Sequence, residues 1–312
     1  MTATAYFAAG QDLWEKYQPH LERAFGELGL DVTLAPHAPD PAAVAFIIFA
    51  PGGEIEDFTP YTNCRAVLNL WAGVERIVGN RTLTQPLCRM VDPALTEGMV
   101  EWVTGHVLRH HLGIDSHILN QDGIWRRDAV PPIARDRPVA MLGLGELGRA
   151  CGAALAALNF PVMGWSRTAR DVVGIECHSG DEGLEHVLRR AEIVVTLLPL
   201  TPETENLLDA RRLGWLSQGA VIINPGRGPL IEDEALLAAL DRGQVKHATL
   251  DVFRTEPLPP EHPFWAHPRV TVTPHIAAET RPASASRVVA ENIRRSLANE
   301  PLLYLVDRAR GY

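Results

Sequence analysis

The sequence predicts an α/β protein built on a doubly wound parallel sheet, and three observations predict it. Short apolar runs alternate with helical stretches along most of the chain, the pattern of a parallel sheet covered by helices. The runs Val139–Leu142 and Glu192–Leu198 read as buried strands. Gly143, Gly145 and Gly148 stand in G-x-G-x-x-G order between the first of these runs and an Ala- and Leu-rich stretch. The chain has 312 residues, enough for one large domain or two ordinary ones. Apolar residues make up 46% and charged residues 21%, so a substantial core is expected and global disorder is not.

The elements follow in order. Thr4–Ala9 reads as a first strand. Asp12–Leu28 reads as a helix, because Trp14, Tyr17, Leu21, Phe25 and Leu28 recur every three or four positions, and Gly29 is its stop. Val32–Leu34 and Ala45–Ala50 are further strands, the second ending at Pro51-Gly52-Gly53. Ala66–Leu70 is another apolar run, followed by Trp71-Ala72-Gly73-Val74. Together these form a small parallel α/β domain. Pro93–Ile114 reads as one long helix, and the polar, proline-bearing stretch Gln121–Arg137 as a connection. After the glycine turn come a helix over Arg149–Leu158 and a strand over Val162–Trp165. Pro199 ends the strand Glu192–Leu198, and Thr201-Pro202-Glu203-Thr204 is a loop and candidate helix start. The strand Ala220–Ile223 runs into Asn224-Pro225-Gly226-Arg227-Gly228, and the helix Glu232–Asp241 stops at Arg242-Gly243. Ala248–Val252 is a strand leading to Phe253–Pro257, Val270–Val272 leads to Thr273-Pro274-His275, and Ala283–Ala298 is the last helix.

Composition excludes several classes of function. A formal net charge of −9 argues against a general nucleic-acid binder. No apolar run is long enough to span a bilayer, and the N-terminus lacks the basic and apolar regions of a secretory signal. Cys64, Cys88, Cys151 and Cys177 are scattered, which fits reduced thiols better than disulfides or a zinc site. A soluble cytoplasmic protein is expected. His106 and His110 are spaced to share a helix face, but no H-E-x-x-H pattern accompanies them; they read as packed or solvated histidines, and no metal site is expected.

The strand–glycine turn–helix–strand unit is the sequence of a dinucleotide-binding Rossmann βαβ. Gly143 permits the tight turn, Gly145 lets the backbone approach a pyrophosphate, and Gly148 lets helix pack on strand. The pyrophosphate would sit on the helix N-terminus, where unpaired N–H groups favour an anion. An NAD-selective site carries Asp or Glu about twenty residues beyond the glycines. Ser166, Arg167 and Thr168 stand there instead, with no carboxylate to repel a 2′-phosphate, so NADP(H) is expected in preference to NAD(H). The competing reading makes Arg167 a solvated surface arginine.

Charged or titratable groups gather where later strands end: Arg227, the pair Asp251 and Glu256, and His275. In doubly wound sheets ligands bind beyond the carboxyl ends of the strands. An arginine can grip a carboxylate at two points, a histidinium can protonate a carbonyl oxygen as hydride arrives, and a carboxylate can orient that ring and favour its charged form. Spacing alone leaves open that these are unrelated surface residues.

Four segments resemble the D-isomer-specific 2-hydroxyacid dehydrogenases: Gly143–Gly148, Asn224–Gly228, Asp251–Pro257 and Thr273–Ala278. The resemblance implies Arg227 as the substrate-binding and polarising arginine, Glu256 as partner of the histidine and His275 as acid/base. It also implies that Asp251 lies near the nicotinamide carboxamide, and that Trp71, Ala72 and Gly73 form a substrate loop whose N–H groups receive the substrate carboxylate. The cofactor-binding set is then Gly143, Gly145, Glu146, Leu147, Gly148, Ser166, Arg167, Thr168, Leu198, Pro199 and Asp251. The nearest subgroup, on Trp71–Val74, Trp165-Ser166-Arg167 and length, is the glyoxylate/hydroxypyruvate reductase A type. What this implies is a flavodoxin-like substrate domain from residues 1–101 and 283–312, a Rossmann cofactor domain from 102–282, and a homodimer built on the cofactor domains. The expected activity is NADPH-dependent reduction of glyoxylate and hydroxypyruvate to glycolate and D-glycerate. The alternatives are an NAD-dependent D-lactate or D-glycerate dehydrogenase and a non-catalytic nicotinamide-sensing protein.

Overall fold

The computed structural model describes residues 2–127 and 130–312. Among these, twelve strands form two wholly parallel sheets, one of five strands and one of seven. The chain divides into two compact units, Met1–Leu95 with Thr280–Tyr312 and Thr96–Glu279.

The first unit opens with β1 (Ala3–Ala8), α1 (Gln11–Glu27), β2 (Val32–Ala35), β3 (Val44–Phe49), β4 (Ala66–Asn69) and β5 (Leu87–Cys88). Helix α1 buries the stripe Tyr17, Leu21, Ala24 and Phe25, as its periodicity requires. Strand β3 is buried on both faces, with Phe46, Ile47 and Ile48 fully covered, because it lies mid-sheet in the order β2-β1-β3-β4-β5. That is the flavodoxin-like strand order.

Helix α2 (Pro93–Leu112) begins in the first unit and continues in the second. The expected single helix to Ile114 ends at Leu112, because Gly113 takes a left-handed conformation (φ 64°). A short helix, α3 (Ile114–Leu119), follows it.

The second unit then runs β6 (Val139–Leu142), α4 (Glu146–Ala157), β7 (Val162–Ser166), β8 (Glu176–Ser179), α5 (Gly180–Arg190) and β9 (Ile193–Thr196). It continues with α6 (Ala210–Leu213), β10 (Ala220–Asn224), α7 (Asp233–Asp241), β11 (Val245–Leu250) and β12 (Val270–Val272). Its strand order, β12-β11-β10-β9-β6-β7-β8, reverses between β6 and β9. That is the doubly wound Rossmann order, and the reversal leaves a crevice at the carboxyl ends of β6 and β9. Helix α8 (Pro282–Leu297) returns to the first unit and packs on α1 and β4.

Further local expectations differ from the structure, among them that the strand expected over Glu192–Leu198 is the shorter β9. Helix α4 starts at Glu146, not Arg149, so Gly148 lies inside it. The segment 201–204 is a turn, not a helix start, because Thr204 Oγ1 donates to the Pro199 carbonyl (2.7 Å) and accepts from Thr201 N–H (2.8 Å). Strand β11 starts at Val245, three residues earlier than its apolar run.

Candidate active site

The glycine turn after β6 has the shape that its sequence calls for. Gly143 has φ 109°, and a Cβ there would stand 2.4 Å from the Leu197 carbonyl oxygen. A Cβ on Gly148 would stand 1.9 Å from the carbonyl oxygen of Gly143, so helix and turn touch backbone to backbone. At Gly145, the N-cap of α4, a Cβ would meet nothing within 4 Å. Gly145 and Glu146 are exposed, Leu147 is half-buried, and Glu146 pairs with Arg149 on the same helix. The first turn of α4 therefore presents open space at its N-terminus, as a cradle for a pyrophosphate needs.

Around the rest of this cradle the structure adds to the sequence. Ser166 closes β7, and its hydroxyl donates to the Thr168 carbonyl (2.8 Å). Arg167 is exposed, and its Nη1 lies 3.5 Å from Glu203 Oε2. The carboxylate absent from the end of β7 is thus supplied by the loop after β9. In that loop the Leu198 side chain belongs to the buried core, so it offers a ligand mainly its backbone, while Pro199 is half-buried.

A histidine–carboxylate pair and a nearby arginine turn are assembled from three strand ends. Asn224, the buried last residue of β10, accepts from Thr196 Oγ1 (2.6 Å) and Gly226 N–H (3.1 Å) and donates to the Arg227 carbonyl (2.9 Å). It folds the turn that carries Arg227, whose Nη1 donates to the Gly226 carbonyl (2.6 Å). A Cβ on Gly228 would overlap the Phe253 backbone (2.0 Å to its carbonyl carbon), so this turn lies against the loop bearing Glu256. Glu256 spans two duties: Oε1 accepts from Phe253 N–H (2.9 Å) and Oε2 lies 2.8 Å from His275 Nδ1. His275 sits in the left-handed region, φ 54°, which a residue with a side chain seldom adopts.

Asp251 accounts for that conformation. Fully buried at the end of β11, its carboxylate accepts from Thr273 Oγ1 (2.6 Å), Ile276 N–H (2.9 Å) and Ala277 N–H (2.9 Å). Its carbonyl accepts from His275 N–H (2.9 Å). Three acceptor positions of the carboxylate are therefore committed to the loop that holds His275.

In the smaller unit, Asn69 closes β4 and is 1% exposed. Its Nδ2 donates to the carbonyls of Trp71 (2.8 Å) and Gly73 (2.9 Å). Across a trans peptide the N–H points opposite to the preceding carbonyl, so the N–H groups of Ala72 and Val74 point away from Asn69. Trp71 is 42% exposed. Asn69, Asn224 and Thr273 are residues to which sequence reasoning gave no role. The signal for the first two was present, since each is a polar residue closing an apolar strand run.

His106 and His110 have separate partners. His110 Nε2 lies 2.8 Å from Thr249 Oγ1 and its ring 4.9 Å from that of His247, whereas His106 packs 4.2 Å from Trp102. Burial, then the charge of His247, pushes His110 down to about 3, and burial with Arg109 pushes His247 down to about 4. Burial raises the thiols of Cys64, Cys88 and Cys151 to about 11, 12 and 12, which makes them poor nucleophiles. Among the described residues, no helix is long and apolar enough to cross a membrane.

The fold and these loops have known counterparts. Residues 104–277 match the family model for the NAD-binding domain of D-isomer specific 2-hydroxyacid dehydrogenases. Among solved structures, a D-isomer specific 2-hydroxyacid dehydrogenase from Xanthobacter autotrophicus Py2, in complex with NADPH and MES, is 39% identical over 100% of both chains with a TM-score of 0.92. The NADPH-dependent glyoxylate/hydroxypyruvate reductase of Sinorhizobium meliloti, in complex with NADP and sulfate, is 31% identical over 99% of this chain and 100% of that one, with a TM-score of 0.86. A probable 2-hydroxyacid dehydrogenase from Rhizobium etli CFN 42, in complex with NADP, HEPES and L(+)-tartaric acid, is 31% identical over 99% of both chains with a TM-score of 0.89. With a family match over more than half its length and full-length relatives at this identity, the chain belongs to the D-isomer specific 2-hydroxyacid dehydrogenases, a family of NAD(P)-dependent oxidoreductases.

Proposed function

We propose that the protein reduces small 2-oxo acids, glyoxylate and hydroxypyruvate first, to glycolate and D-glycerate, with NADPH preferred and NADH usable. The observation that carries this reading is the Glu256–His275 pair, held at the ends of β11 and β12 with the Arg227 turn against the same loop. The cradle fits a dinucleotide, because Gly145 leaves space at the N-terminus of α4 while Gly143 and Gly148 let the backbones close. When bound there, the nicotinamide supplies the hydride. Arg227 grips the substrate carboxylate and polarises the carbonyl with its planar fork. Glu256 accepts from Nδ1 of His275, which fixes the tautomer and leaves Nε2 to give its proton to the carbonyl oxygen. The loop Trp71-Ala72-Gly73, with Val74 after it, receives the substrate carboxylate on the Ala72 and Val74 N–H groups that Asn69 turns away from itself.

NADPH preference rests on Ser166, Arg167 and Thr168. The exposed Arg167–Glu203 pair is weak in water, so a 2′-phosphate can take the guanidinium from Glu203. Three relatives matched over 99% or more of both chains were solved with NADPH or NADP. The test is NADPH and NADH oxidation across a panel of 2-oxo acids. Arg167→Ala should raise KM for NADPH on the order of tenfold to a hundredfold and that for NADH little. Equal effects on both cofactors would contradict the assignment.

The same reading includes a homodimer through the larger unit. There α3 and the segment after it expose Leu119 (80%), Trp125 (90%) and Val130 (83%), with Ile118, Ile124 and Ile133 beside them in sequence. An isolated subunit seldom leaves so many large apolar side chains in water.

A further inference from the structure

Strand β8 is the edge of the larger sheet, and Glu176 and His178 project from the same face of it. Helix α5 follows at once and packs over β7 and β8. Gly183 permits the approach, since a Cβ there would already stand 3.2 Å from the Cβ of His178. His186, on α5, is thereby brought over the strand. Glu176 Oε1 lies 2.9 Å from His178 Nε2 and 3.7 Å from His186 Nε2. All three ligand atoms lie within 4.8 Å of one another, and the two rings are 4.6 Å apart. Arg190 shares the site, with Nη1 2.8 Å from both Glu176 Oε1 and His186 Nε2. A guanidinium can only donate, so the lone pair of His186 Nε2 points into the cluster.

We propose that Glu176, His178 and His186 form a binding site for a divalent transition-metal ion of the zinc class, with Arg190 as the cation that the metal displaces. A tetrahedral ion with bonds of about 2.0–2.1 Å holds its ligand atoms about 3.4 Å apart, and the two distances to Glu176 bracket that value. Two imidazoles and one carboxylate suit zinc, nickel or copper; magnesium and calcium ask for oxygen ligands. Three protein ligands leave a position for water on the exposed side. The ion would fasten the edge strand to α5 in place of the Arg190–Glu176 ion pair that joins them in this structure.

The experiment is calorimetric titration of the full-length protein with Zn²⁺, repeated with Co²⁺ to read its coordination from the visible spectrum. Wild type and a His275→Ala variant, which removes the catalytic His–Glu pair as a rival ligand, should bind one ion per chain alike. His178→Ala and His186→Ala should each lose about tenfold or more in affinity while keeping NADPH oxidation. Arg190→Ala should bind more tightly. The proposal is overturned if wild type gives neither heat nor a four-coordinate cobalt spectrum, if both histidine variants bind as wild type does, or if His275→Ala abolishes binding.

Discussion

A carboxylate has two oxygens, and Glu256 uses both. One takes the Phe253 N–H and fixes the side chain; the other takes His275 Nδ1 and fixes the ring. An amide has one acceptor oxygen and a donating NH2, so when the oxygen of Glu256→Gln keeps the turn its NH2 faces Nδ1, and the charged ring loses its acceptor. The variant's kcat for NADPH oxidation should fall about tenfold to a hundredfold, as when the outer partner of a working histidine is lost. Near-normal turnover in stopped-flow or steady-state assays would contradict the role. These candidate groups stood out in the sequence because each follows a recognisable strand end: Arg227 after Asn224-Pro225-Gly226, Glu256 before Pro257, His275 after Thr273-Pro274; the roles proposed for them came from the family resemblance, since spacing alone left them open. Their supports were less legible. Asp251 was expected beside the nicotinamide, yet most of its acceptor capacity goes to the loop of His275. That is a matter of three-dimensional hydrogen bonding with residues more than twenty positions away. Asn69 and Asn224 each close an apolar run, and each then organises the loop that follows by side chain-to-backbone bonds.

At the scale of elements, several strands were read closely from their short apolar runs. Val139–Leu142 and Val270–Val272 have the expected bounds, and Ala220–Asn224 extends by the single asparagine. Strand β8 and helix α5 were not read, because their sequence carries little apolar signal. An edge strand with the sequence ECHS needs no buried face on its outer side, and α5 buries only Leu184, Val187 and Leu188. Helix α2 and strand β11 bring a different consequence. His110 and His247 stay neutral in the fold well below the ordinary histidine value of about 6.5. Folded values below the unfolded one mean that the unfolded chain binds more protons. The stability from this pair is fully present above about pH 6.5 and is lost as pH falls toward about 4 and then about 3. The thermal midpoint should therefore drop across that window. A His110→Gln, His247→Gln double variant should show a shallower drop, by up to two protons' worth of slope. An unchanged slope would place the acid sensitivity elsewhere.

For the whole molecule, the two sheets have separate jobs under this account. The seven-stranded sheet reverses its order between β6 and β9 and carries both the glycine cradle and the acid/base loops on its carboxyl ends. The five-stranded sheet supplies the Trp71–Gly73 loop. The parallel α/β class was legible in the alternation of strands and helices, whereas the Rossmann reading rested on the glycine turn and the flavodoxin-like one on the family resemblance. Of the exposed apolar segment from α3 onward, Ile118 and Leu119 were given no reading, and Gln121–Arg137 was read as a polar connection because Ile124 and Trp125 lie scattered among charged and polar residues. Sedimentation should show a dimer, and Leu119→Asp with Trp125→Asp should shift it to monomer, since burying two new carboxylates is costly. A monomeric wild type would contradict the assembly. The most direct measurement of the central claim is the rate of glyoxylate-dependent NADPH oxidation by wild type and by His275→Ala, with NADPH binding followed in parallel by fluorescence. The account predicts turnover in the wild type, a fall of about 10²–10⁴-fold in kcat for the variant, and unchanged NADPH affinity. A variant that reduces glyoxylate at close to the wild-type rate would contradict it.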